Sequence, residues 1–100
     1  MNRILIFQPV ALAELTGAIA WYEQERPGLG KDFSDEVYRA LERAAVQPER
    51  FCQVRGRARK IRLKRFKAYA IYFAITDDVF SVLAIFHGSR SPAELHRRLK

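Results

Sequence analysis

Two stretches in the C-terminal half, Ala68 to Ile75 and Val79 to His87, are apolar on both faces and rich in β-formers, and Asp77-Asp78 turns one into the other. Strands without a wet face belong at the centre of a sheet, so the fold has to be built around this hairpin. Arg59 to Phe66 can stand beside it. Its Ile61 and Leu63 alternate with Lys60, Arg62 and Lys64, the period of a strand with one buried and one wet face. Phe51 to Gly56 reads equally as strand or loop.

The N-terminal half supplies the cover. Arg3 to Gln8 holds the apolar run Ile4-Leu5-Ile6-Phe7, a short strand, and Pro9 follows where a first helical position tolerates proline. From Pro9 to Arg26, Leu12, Leu15, Ile19 and Tyr22 recur at spacings of three and four, with Ala11 and Ala18 widening the stripe. Pro27-Gly28-Leu29-Gly30 breaks the chain. A second stripe of Phe33, Val37, Leu41 and Ala44, with Ala40 beside it, then runs from Lys31 to Gln47 and stops at Pro48. Two helices and a short turn make a helical hairpin whose stripes need a sheet to cover them. Ser91-Pro92-Ala93-Glu94 has the capping serine, first-turn proline and third-position glutamate that start a helix, giving a short one from Pro92 to Lys100. The expectation is a single α+β domain over residues 1–100, in the order β-α-α-β-β-β-α, with a small and mainly antiparallel sheet.

Charge is distributed very unevenly. Residues 55–67 carry 8 basic and no acidic side chains, while the other 87 residues carry 10 basic and 11 acidic, so the net +7 sits in thirteen positions. Such a block attracts polyanions, either nucleic acid or an acidic protein segment; a solvated strand face that keeps a small domain soluble would look the same. The single Cys52 forms no internal disulfide, which suits a reducing, cytoplasmic compartment. The longest uncharged run, Val79 to Ser89, has 11 residues and falls short of the roughly 18 to 20 needed to span a bilayer.

Several chemistries drop out. Cys52, His87 and His96 have no zinc-site spacing, and Gly28-Leu29-Gly30 follows a helix and reaches Phe33 where a dinucleotide motif needs a third glycine. No metal or cofactor is therefore expected. Metal-free RNA cleavage would need a base, an acid and phosphate-holding cations. His87 or His96 could supply the proton chemistry, and Lys60, Lys64 and Arg90 the cations; a structural histidine at a strand end is the plainer reading.

Trp21-Tyr22-Glu23 with Pro27-Gly28-Leu29-Gly30-Lys31-Asp32-Phe33, then Pro48-Glu49-Arg50, Arg65-Phe66 leading into Tyr69-Ala70-Ile71-Tyr72, and His87-Gly88-Ser89-Arg90-Ser91-Pro92 follow one another in an order that resembles the RelE/ParE superfamily of toxins from type II toxin–antitoxin modules. The Pro-Gly-Leu-Gly turn and the His-x-x-Arg-x-Pro ending are closer to the ParE branch. That resemblance implies a cytoplasmic toxin that binds DNA gyrase and blocks replication without bond-making chemistry, held in a hetero-oligomer by a cognate antitoxin. Arg59, Lys60, Arg62, Lys64, Arg65, His87 and Arg90 are then the candidates for target or nucleic-acid contact. Leu12, Leu15, Ile19, Trp21 and Tyr22 are candidates for antitoxin contact, although packing explains them as well. The RelE-like alternative is a ribosome-dependent mRNA endoribonuclease using Lys60, Lys64, Arg90 and His96. A non-toxic basic nucleic-acid-binding module is the third reading. Lys67 stands where the family usually has proline, and Leu95 where ParE-like chains often have tryptophan.

Overall fold

The computed structural model describes residues 3–99. Its elements run β1 (Ile4–Phe7), α1 (Pro9–Glu25), α2 (Leu29–Val46), a single 3₁₀ turn (Pro48–Arg50), β2 (Cys52–Arg55), β3 (Ala58–Arg62), β4 (Tyr69–Thr76), β5 (Val79–His87) and α3 (Pro92–Arg98). The five strands lie in the order β1-β5-β4-β3-β2, with β1 parallel to β5 and every other pair antiparallel. The β4–β5 hairpin is central, as its two apolar faces require. Asp77, in the left-handed region at φ 52°, makes its turn.

The α1–α2 hairpin covers one face of the sheet, where Phe33, Val37, Ile61, Ile71, Phe73, Val82 and Ile85 are almost wholly buried. The opposite face holds a smaller cluster of Ala58, Tyr72, Ala84 and Phe86, closed by Leu95 and Leu99 of α3. Leu95, the departure in the tail, thus belongs to a core. One extra residue in β5 allows the sheet to serve both clusters. Tyr72 pairs with Ala84 and Phe73 with Val82, so Leu83 is bulged out and the alternation restarts in opposite phase.

The turn between the helices is fastened by a carboxylate. Glu23, near the end of α1, accepts the backbone N–H groups of Gly28 at 3.0 Å and Gly30 at 3.0 Å, satisfying donors at the start of α2 that have no partner within the helix. Gly28 sits at φ 89°, where a Cβ is strained.

Four expectations need correction. Phe51 to Gly56, left open by the sequence, contains β2, so four strands follow the helices where three were expected. The strand expected to reach Phe66 ends at Arg62, because Leu63 and Phe66 both turn into the core and the Arg65 N–H goes to the Glu36 carboxylate (3.2 Å) instead of a sheet ladder. The buried side of α1 is formed by Ala11, Leu15 and Ala18, and Leu12 is 49% exposed. Ser91 precedes α3 without a side-chain capping bond, and the Glu94 carboxylate goes to Arg90.

Candidate functional site

Strand alternation aims the even-numbered residues of β3 away from the helical hairpin. Lys60 and Arg62 pair with Tyr72 and Ala70 of β4, and so project from the α3 side of the sheet. Beyond β3 the chain bends through Lys64 and Lys67 before entering β4, and at the far end of β5 it turns through His87 and Gly88 into α3. Between these two rims lies a cleft of about 650 Å³, lined by Lys60, Arg62, Lys64, Lys67, His87 and Arg90 around Tyr72; Tyr69 borders it too, but its ring turns to the helical-hairpin side, against Tyr22 and Phe33. No carboxylate lines it. Among the described residues, none of Lys60, Arg62, Lys64 and Lys67 is in an ion pair. The Lys60 ammonium lies 5.8 Å from the centre of the Tyr72 ring, a cation–π distance.

His87 stands edge-on to Tyr69, ring centres 5.0 Å apart. Its Nδ1 accepts the Ser89 backbone N–H at 3.0 Å, so the neutral ring carries its proton on Nε2. Burial, with the charge of Glu14 adding to it, pushes the Tyr69 phenol above the ordinary tyrosine range and keeps it protonated at neutral pH.

Arg90 is fixed at the rim. Glu14 of α1, with a side chain only 10% exposed, accepts from Arg90 Nη1 at 2.5 Å, from Arg98 Nη1 at 2.7 Å and Nη2 at 3.0 Å, and from the Ile85 backbone N–H at 3.1 Å. Glu94 takes the other side of the Arg90 guanidinium, and both arginines lie against the Phe86 ring. Burial lowers the Arg90 pKa, but the hydrogen bond and charge of Glu14, aided by Glu94, outweigh that and leave it raised. Pairing to β1 ends at Val82, so the outer edge of β5 is open beyond it; Glu14 occupies that edge at Ile85, and Arg98 donates to the Leu83 carbonyl at 2.7 Å. The sequence reading missed Glu14 and Arg98. The available signal was a glutamate three residues after Ala11 and four before Ala18, in line with the buried side of α1.

The structure therefore gathers Lys60, Arg62, Lys64, His87 and Arg90 of the expected contact set, and adds Lys67, Tyr69 and Tyr72. Arg59 points to the other face and donates to the Phe51 carbonyl at 2.8 Å; Arg65 pairs with Asp32 at 3.2 Å. His96 is exposed on α3 and does not line the cleft. Of the five residues expected to meet an antitoxin, Leu15 is buried in the core, Ile19 and Tyr22 are packed against it, and Leu12 and Trp21 are exposed. Ile4, Leu5, Ile6 and Val10 are exposed as well, so the N-terminal strand and helix carry six large apolar side chains on the surface, Leu12 and Trp21 among them. Among the described residues no group of His, Cys, Asp and Glu could hold a metal ion, and no helix is long and apolar enough to cross a membrane.

The fold matches a chain of the chromosomal ParDE TA system from P. aeruginosa with a TM-score of 0.72, over 85% of this chain and 95% of that one, at 13% sequence identity. No curated protein matches the sequence. The family model described as "ParE toxin of type II toxin-antitoxin system, parDE" matches residues 5–92, and the chain belongs to that family.

Proposed function

We propose that residues 1–100 form one cytoplasmic toxin domain that arrests growth by binding DNA gyrase, and that a cognate antitoxin neutralises it in a hetero-oligomer. Family membership supports the target and the antitoxin. The observation that carries binding over bond-making is the state of Arg90: two carboxylates hold it, and it has no free histidine beside it in the set Lys60, Lys64, Arg90 and His96, because His96 lies outside the cleft. An antitoxin segment that folds on binding would cover the exposed apolar residues of β1 and α1, Leu12 and Trp21 among them.

The test is induced expression in a bacterial host without antitoxin, following labelled thymidine and labelled methionine over the first minutes, with a supercoiling assay on purified gyrase. DNA synthesis is expected to stop first and supercoiling to be inhibited. The ribosome-dependent ribonuclease reading keeps one observation in its favour, the convergence of Lys60, Lys64 and His87 on one cleft. Methionine incorporation falling first would establish it and overturn the gyrase reading.

A further inference from the structure

We infer that, in the chain free of antitoxin, the open edge of β1 pairs with β1 of a second copy, antiparallel about a two-fold axis at Leu5. This goes beyond the gyrase reading and needs neither target nor antitoxin. It begins from the unequal treatment of the two edges of the sheet.

An edge strand offers unpaired N–H and C=O groups to any strand that fits, and proteins blunt such edges with charges and bulges. The β2 edge is blunted: its register against β3 shifts between Gln53 and Arg55, and Arg55 and Arg57 flank its turn. The β1 edge is bare. Ile4-Leu5-Ile6-Phe7 carries no charge and pairs with β5 without a register shift. The N–H groups of Ile4 and Gln8 go to the Asp78 and Val82 carbonyls at 2.7 and 2.9 Å. Alternate residues of a parallel pair face the same neighbour, so Leu5 and Phe7 turn their backbone groups outward, with Arg3 in phase.

Those outward groups define the pairing. With the axis at Leu5, the two Leu5 residues exchange two hydrogen bonds, and Phe7 of each copy faces Arg3 of the other. Ile4 then stands opposite Ile6 of the second copy on the α3 side of the sheet, where the two are 63% and 41% exposed. An axis at Ile6 would instead set Ile4 against Gln8. On the helical side, Leu5 of the second copy comes beside a cavity of about 160 Å³ whose lining includes Leu5, Tyr38, Leu41 and Phe80. The two-fold axis fills both cavities alike. Each copy hides on the order of 500 Å², so the pair just reaches the about 1,000 Å² of a specific but weak interface.

Charge favours a second copy at this edge and opposes one at the other. The basic block begins at the end of β2 and runs through β3, so a β2 pair would press two +8 blocks together. Across a β1 pair the two β3 strands lie seven strand spacings apart, about 34 Å, or about four Debye lengths at physiological salt. An acidic segment has little to hold at a strand of four apolar side chains. The antitoxin segment proposed above would compete with the second copy for this edge.

The experiment is sedimentation equilibrium of the full chain, without antitoxin or gyrase, from about 1 to 100 μM. The mean mass is expected to rise from 11.6 kDa toward twice that value, at high salt as at low. Leu5→Lys sets like charges opposite each other and should raise the dissociation constant about tenfold or more, while Val54→Lys, similarly exposed on β2, should leave it within about twofold. Cysteine substitutions in a Cys52→Ser background read the register. Leu5→Cys, with Cα atoms about 5.5 Å apart across the axis, should form an intermolecular disulfide under mild oxidation, and Ile6→Cys, about 8 Å from its counterpart, should not. Thermal melting checks that each variant folds. A chain monomeric throughout the range, which would leave the edge to another occupant such as the antitoxin, overturns the inference. So does a dimer that Leu5→Lys leaves intact, or cross-linking through Ile6→Cys in place of Leu5→Cys. Because gyrase and antitoxin are absent, this result and that of the supercoiling assay can fail separately.

Discussion

Replacing Glu14 by alanine tests whether the ion cluster under α3 is part of the fold or a decoration of its surface. The substitution removes the acceptor of four hydrogen bonds. Arg90, 38% exposed, keeps Glu94, but Arg98, 16% exposed, is left with the Leu83 carbonyl alone, and the Ile85 N–H loses its partner. Stranding one member of a buried pair costs about 3–5 kcal/mol, and an unpaired buried N–H about 1–3 kcal/mol. Partial exposure of the arginines and entry of water reduce the total, so about 3–4 kcal/mol is expected, a large share of the roughly 5–15 kcal/mol typical of a domain. For this length that lowers Tm by about 12–32 °C. Thermal and urea melts read the loss, and hydrogen exchange should show α3 opening before the central strands. Arg98→Ala combined with Glu14→Ala should cost little more than the worse single change, with a coupling of about 2 kcal/mol. If Glu14→Ala stays within about 0.5 kcal/mol of the unmodified protein, or the two changes simply add, the cluster is an ordinary surface salt bridge and the reasoning fails.

Gly30→Ala would put a Cβ 2.6 Å from the Ile19 carbonyl oxygen and 3.1 Å from the Glu23 Cβ, so the helices must part at a cost of about 2–3 kcal/mol; Gly17→Ala, with open space around it, should gain up to about 1 kcal/mol, and paired thermal melts compare them. Tyr22 and Tyr69 both have pKa values raised by burial, so folding favours their protonated forms. Their contribution is complete below the unfolded value of about 10 and is lost as pH rises through the folded values; urea midpoints should fall in that alkaline range, and less steeply in Tyr22→Phe with Tyr69→Phe. His96→Ala should leave growth arrest unchanged in an induction assay, whereas a ribonuclease using it as acid or base would lose about 100-fold or more in cleavage rate.

Periodicity located the central hairpin and both helices because each buries a continuous set of large side chains. It misassigned the face of α1, which is apolar on nearly every side: Leu12 and Leu15 fit one stripe as well as Ala11, Leu15 and Ala18 fit another, and only the sheet chooses between them. The bulge at Leu83 was invisible for a related reason, since a phase change leaves no trace in a strand with two apolar faces. The basic block pointed to the right region for the cleft but could not sort its members. Arg59 and Arg65 share the composition of Lys60 and Lys64, and differ in a strand phase and in two acidic residues of α2 far away in sequence. The pattern at Ser91 to Glu94 started a helix as expected, but the glutamate answered to Arg90 instead of the helix's own backbone.

The parallel pairing of β1 with β5 also has a consequence in time. Synthesis makes β1 and α1 well before β5, the strand that lies against them both. At about 5–20 residues per second, the stretch from the end of α1 to the end of β5 takes about 3–12 seconds to synthesise. Until β3, β4 and β5 have been made, Leu15, Phe33 and Val37 lack the sheet they lie against in the folded protein. The nascent chain is therefore a pair of sticky helices before it is a toxin, and any partner or chaperone that binds apolar helices has seconds in which to meet it.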